Sequence, residues 1–221
     1  MNFYAFFLQN LPRLLEGLSL TLQLTILSLI FAIIVGMISC FFKISSIKPL
    51  NWIATIYLSV IRGTPLMVQA YFLYFGIASV LSIQIPSFWA SVIVLTLNAG
   101  AYLSEIFRSG ISAVNKGQME AARSLGLPYH VAMSKVIIPQ AIRIVIPSVV
   151  NQFIITLKDT SIISVIGMGE LMRVGTLIAN RTFRGFETYG MVAIVYFIVI
   201  IILTKISQII ERRLSNGKSK S

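Results

Sequence analysis

"GQMEAARSLGLPYHVAMSKVIIPQ", residues 117–140, is one long polar stretch at the centre of an otherwise apolar chain. Asn115, just before it, can cap a helix running through about Leu125. Gly126 supplies a left-handed stop, and Pro128 opens a second short helix expected to end before Pro139. Ala121, Ala122 and Leu125 are expected to form one small, smooth face, with Glu120 and Arg123 at its flanks. The pattern is a helix–turn–helix, and its apolar flanks place it on the surface of a membrane protein.

Those flanks dominate the composition. Of 221 residues, 57% are hydrophobic and only 11% charged, where a soluble domain carries about 25% charged residues. The solvent of this chain is therefore largely lipid. Its net charge of +11 does not indicate nucleic acid, because the basic residues are spread between apolar runs rather than gathered on one polar domain. The single cysteine, Cys40, lies inside an apolar run. It implies neither a disulfide framework nor a metal-thiolate site.

A spanning helix needs about 20 mostly apolar residues. Segments 19–42, 51–80, 86–108 and 187–212 qualify readily. Segment 138–158 is less apolar and contains Arg143 and Pro147, so it is expected among other helices rather than against lipid. The count is five. Residues 1–15 lack the basic start and small-residue cleavage site of a signal peptide, and 1–18 read as an interfacial amphipathic segment. The spans fill 19–212, with a polar loop at about 109–137, and residues 213–221 read as a disordered tail.

Charge sets the expected orientation. Lys43 and Lys48 follow the first span, and the loop near 80–86 carries no charge. Arg108, Lys116, Arg123 and Lys135 mark the central stretch, and Arg212, Arg213, Lys218 and Lys220 the tail. This pattern fits an outside N-terminus and a cytoplasmic C-terminus. Residues 159–186 resist it, with Arg173, Arg181 and Arg184 on the outer side. That stretch is read as a helix partly re-entering among the others.

Glu120-Ala121-Ala122, three residues, Gly126, nine residues, then Val136-x-Ile138-Pro139 resembles the EAA loop of bacterial ABC-importer permeases. Val136 and Ile138 are conservative departures from it. "RGTPLMVQAYFLYFG" (62–76), "NAGAYLSEIFRSGI" (98–111) and "NQFIITLKDTSIISVIG" (151–167) extend the likeness to the polar amino acid branch of that family over nearly the whole chain. The resemblance implies an all-α, five-span type I importer permease of a bacterial inner membrane. In that family the loop is a coupling helix seated in a groove of an ATPase subunit. Glu120, Ala121, Ala122, Arg123, Leu125 and Gly126 would make that contact here. Also implied are two ATPase subunits, a second permease copy or close homologue, an extracellular binding protein and an amino-acid substrate. Glutamine, arginine, histidine and cystine types share these motifs.

The chain has no phosphate-binding loop of its own. "GKS" at 217–219 has Arg212, not glycine, five residues before Gly217, and no strand precedes it. ATP and Mg are therefore expected on a partner chain, and no catalytic residue, cofactor or metal ligand on this one. A secondary carrier would more often show inverted repeats and several intramembrane acids. The sequence shows no repeat, and little beyond Glu105 could titrate within the spans.

Polar residues inside spans are candidates for the substrate pocket. Asn98, Tyr102 and Glu105, at spacings of four and three, share one face of the third span. An amide at mid-depth can serve both the carboxylate and the ammonium of an amino acid, and a carboxylate deeper down can take a cation. Glu105 can equally pair with Arg108. In the second span Pro65 is expected to kink the helix and expose Thr64 and Gln69, while Arg62 is expected among the inner headgroups. Lys158 and Asp159 would guard the entrance or pair with each other, and His130 is a solvated loop residue.

Overall fold

A computed structural model describes residues 2–216, and among them helices and short links account for the whole chain. Four helices are long and apolar enough to cross a membrane, and a bent pair brings the number to five when it is counted as one broken span. The expected disordered tail, 213–221, falls partly outside the described residues; its first four continue the last helix.

Helix α1, Phe3–Ile44, has 42 residues and so reaches about 63 Å, twice the roughly 30 Å of a hydrocarbon core. It runs without a break past residue 18, where the sequence suggests that an interfacial segment gives way to the first span. A Cβ on Gly17 would stand 3.0 Å from the Leu171 Cα, so glycine there lets a second helix seat against α1.

The second span departs further. Helix α2, Lys48–Gly63, and helix α3, Leu66–Val80, meet at 109°, a break rather than the expected kink. Pro65 forces its predecessor out of helical space, and Thr64 is extended at φ −123°, ψ 145°. Helix α4, Ser87–Ala113, is the central rod, packed along α1.

Helix α5, Lys116–Ser124, follows one turn later. The second helix of the polar hairpin does not end before Pro139. It runs on as helix α6, Tyr129–Ile166, with a widened π turn at Met133–Ile137. That turn accommodates the ring and missing N–H of Pro139, which would otherwise clash with the carbonyl four residues back.

Residues 159–186 divide where glycine permits. Helix α6 ends at Gly167, φ +82°, and helix α7, Leu171–Thr182, follows before helix α8, Gly185–Asn216. Glu170 caps α7, accepting from the N–H groups of Met172 and Arg173 at 2.8 and 2.7 Å. The Tyr196 hydroxyl donates to the same carboxylate at 3.0 Å, and Leu171 N–H donates to Thr21 Oγ1 at 3.1 Å. Phe6, Leu14, Leu171, Ile178 and Met191 form the core beneath, so α7 is clasped between α1 and α8. At 12 residues it is too short to span.

Lipid offers no hydrophobic drive between helices, so close contact of small residues must hold them. A Cβ on Gly36 of α1 would lie 2.9 Å from Leu103 Cβ and 3.1 Å from the Gly100 carbonyl of α4. Nearby, Thr96 Oγ1 donates to the Ser28 carbonyl at 3.3 Å. Gly36→Leu is expected to force α1 and α4 apart and lower the thermal midpoint of the detergent-solubilised protein by several degrees, about 2 kcal/mol of overpacking; an unchanged midpoint would show that this crossing is not tight.

Candidate substrate cluster and coupling helix

Helix α5 is capped at both ends. Asn115 Oδ1 accepts from Gly117 N–H at 2.8 Å. At the other end Gly126 takes φ +84°, so Leu127 N–H can reach back to the Ala122 carbonyl at 3.2 Å and Gly126 N–H to that of Arg123 at 3.0 Å. This is a Schellman closure, locked by Arg123 Nη1 donating to the Leu127 carbonyl at 2.9 Å. Six residues were expected on one contact surface, and five are exposed: Glu120, Ala121, Arg123, Leu125 and Gly126. Ala122 is not among them. It is 4% exposed, one turn from Met119, which packs against Val114, Ile137 and Ala141. The smooth face is therefore split, Ala122 seating the helix while Leu125, 84% exposed, stands clear on the other side.

Three of the pocket candidates meet at the break between α2 and α3. The end of α2 leaves carbonyls without helical partners, and Gln69 Nε2 donates to two of them, Ile61 at 2.7 Å and Thr64 at 3.0 Å. It also reaches Thr64 Oγ1 at 3.0 Å. Asn98 Nδ2 donates to Gln69 Oε1 at 3.4 Å, from a side chain only 7% exposed. Among the described residues Asn98 Oδ1 accepts no hydrogen bond. The Thr64 hydroxyl is itself engaged, donating to the Val60 carbonyl at 2.8 Å, so what the cluster offers beside the broken helix is the Asn98 amide, with a spare acceptor and a second N–H, the two functions a small zwitterion needs.

Tyr102 and Glu105 lie one and two turns further along α4 and do not touch these three. Glu105 pairs with Arg108, at 2.7 Å from Nη2 and 3.1 Å from Nε, and with Arg62 Nη1 at 3.6 Å. Arg62, which the sequence placed among the inner headgroups, also meets two side chains of α4. Helix α2 stops one residue later, and the guanidinium sits 5.8 Å from the Tyr102 ring centroid. Its packing over Tyr102 was invisible in sequence; only the acid seven residues after Asn98 hinted at a cationic partner. Tyr102 and Glu105 border two open clefts. One, about 510 Å³, continues to Lys43, Thr55, Ser59 and Arg62. The other, about 710 Å³, runs past Ser109, Asn151 and Gln152 to Glu211. Lys158 and Asp159 form no ion pair among the described residues, and His130 is exposed.

The family of binding-protein-dependent transport system inner membrane components matches residues 28–216. This chain belongs to that family. The permease is 41% identical over 208 residues to the arginine transport system permease protein ArtQ of Bacillus subtilis (strain 168), covering 94% of this chain and 95% of that one. It is 39% identical over 210 residues to the L-cystine transport system permease protein TcyB of the same organism, at 95% and 89% coverage. The putative glutamine transport system permease protein GlnP of Rickettsia felis (strain ATCC VR-1525 / URRWXCal2) is 34% identical over 214 residues, at 96% and 98%. Among solved structures, the crystal structure of an amino acid ABC transporter with histidines superposes with a TM-score of 0.92 at 42% identity, covering 96% of this chain and 99% of that one. An inward-facing MetNI methionine ABC transporter gives 0.80 at 16% identity, at 93% and 98%; that likeness speaks to the fold alone. The permease is a multi-pass membrane protein of the type I importer fold.

Proposed function

We propose that this permease is the membrane subunit of an ABC importer for polar amino acids, of the glutamine, arginine, histidine or cystine type. A separate ATPase supplies the energy, and this chain carries out no covalent chemistry. The observation that carries this reading is the capped helix α5, whose exposed face offers a rigid contact at the end of the rod that bears Asn98. Two permease copies, or this one with a close homologue, enclose the pathway, and two ATPase subunits hold the α5 helices. A binding protein delivers substrate from outside. ATP-driven closure of the ATPases is passed along α5 and α4 to open the pathway outward, and hydrolysis resets it inward.

The substrate contacts are Thr64, Gln69 and Asn98, with Tyr102 and Glu105 lining the route beyond them. The orientation is N-terminus outside and C-terminus cytoplasmic, in a bacterial inner or plasma membrane. In support, Ser109, near the α5 end of α4, and Glu211, late in α8, border one cleft, while Phe6 lies under Arg184 just before α8, with 4.6 Å to the ring centroid.

Reconstitution tests the whole reading. With ATPase, binding protein and internal ATP, proteoliposomes are expected to accumulate labelled arginine, glutamine, histidine or cystine, and vanadate to stop it. Uphill uptake by the permease without the ATPase would overturn the proposal.

A further inference from the structure

We propose that the cleft bordered by Lys43, Thr55, Ser59 and Arg62 is an exit-side subsite for the substrate's α-carboxylate, occupied after the amino acid leaves Asn98. The inference rests on the function proposed above and goes beyond it, because it adds a second, cationic station to the route.

Charge is the first argument. Arg108 already meets Glu105 with two hydrogen bonds, at 2.7 and 3.1 Å. Arg62 stands 3.6 Å from the other carboxylate oxygen, beyond hydrogen-bond length, and among the described residues its guanidinium donates no hydrogen bond. Its side chain is 44% exposed. Lys43 Nζ donates to Thr55 Oγ1 at 2.6 Å and keeps further N–H donors for a ligand. The cleft therefore holds two cations against one acid that a third cation has neutralised. A carboxylate would complete it, accepting from the Arg62 fork, the Lys43 ammonium and the Ser59 hydroxyl.

Orientation separates a substrate from a lipid headgroup. At about 100° per residue, Thr55, Ser59 and Arg62 fall on one narrow strip of α2. The exposed apolar residues Ile53, Ile56 and Val60 fall on another, about a third of a turn away. The second strip suits acyl chains; the first faces Tyr102 and Glu105 across the cleft. Continuity is the third argument. Arg62 lies two residues before Thr64, a member of the substrate cluster. Glu105 lies seven residues beyond Asn98, about 10 Å along α4 toward α5. A solute leaving the cluster in that direction reaches Tyr102 and Glu105, which this cleft shares with its neighbour, and of the two it is this one that carries Arg62 and Lys43.

The test uses the full complex of permease, ATPase and binding protein in proteoliposomes, with labelled arginine, glutamine, histidine and cystine outside and ATP inside. If the wild type accumulates none of them, the proposed function fails, not this inference. Given uptake, Arg62→Gln is expected to slow it about tenfold or more, the loss of a charge-assisted contact. The double variant Arg62→Gln/Glu105→Gln is expected to stay as slow. Recovery in the double variant would mean that Arg62 serves only to balance Glu105, and would overturn the subsite. A second measurement needs no variant. Preloading the lumen with the unlabelled amino acid is expected to slow uptake, and preloading with its α-carboxamide is not. Equal slowing by the two, or none by either, overturns the proposal.

Discussion

Gly126→Val is expected to abolish uptake, by tenfold or more, in a permease that still inserts and binds its partners in the membrane. Gly126 holds φ +84°, which costs an L-residue about 1–2 kcal/mol and a β-branched one more. Valine would pull the residue out of that conformation and break the return of Leu127 N–H to the Ala122 carbonyl. Helix α5 would then run on or fray, and Leu125 would lose its set position. Nothing lies within 4 Å of a Cβ built at Gly126, so the substitution makes no steric clash that would unfold the protein. Local geometry is the only casualty. The measurement pairs uptake with ATP hydrolysis in proteoliposomes: hydrolysis should persist without transport. Normal uptake by Gly126→Val would remove α5 from the coupling route.

Asn98→Leu should act at the other end of the same rod. Leucine removes both the acceptor offered to substrate and the donor that holds Gln69 Oε1. Gln69, half-buried, is left without that donor to its Oε1. The anchoring of the helix break survives, because Gln69 Nε2 still bridges Ile61 and Thr64. Uptake is expected to fall about tenfold, while the binding protein's affinity for amino acid and assembly with the ATPase are unchanged. Unaltered uptake kinetics would withdraw Asn98 from the pocket. Comparing the two variants separates the roles: the first should hydrolyse ATP without transporting, whereas the second should transport normally coupled but slowly.

Both variants rest on features that differ in how they are encoded. The caps of α5 are local. Asn115, Gly117 and Gly126 lie within twelve residues, and their chemistry dictates a start and a stop wherever the segment sits. The apolar runs are equally plain, because lipid requires about 20 residues of one character. Five spans, a capped polar helix and the likeness to importer permeases were therefore readable in one dimension. The shared face of Asn98, Tyr102 and Glu105 was readable too, as helix periodicity alone sets it.

Other features needed partners distant in sequence. Pro65 announces a disturbance, but whether α2 bends gently or turns by 109° depends on Gln69 being placed to satisfy the abandoned carbonyls. The ion pair of Arg62 with Glu105 joins residues 43 apart on two helices, and the seat of α7 joins Thr21 to Leu171 across 150 residues. Ala122 has the same composition and neighbours whether it faces inward or out; only the packing of α5 on the start of α6 turned it inward. Periodicity and capping act within a turn or two of helix, and so belong to the sequence. Which helix faces which is settled by small residues such as Gly17 and Gly36 meeting backbone from far along the chain, and that exists only once the bundle has formed.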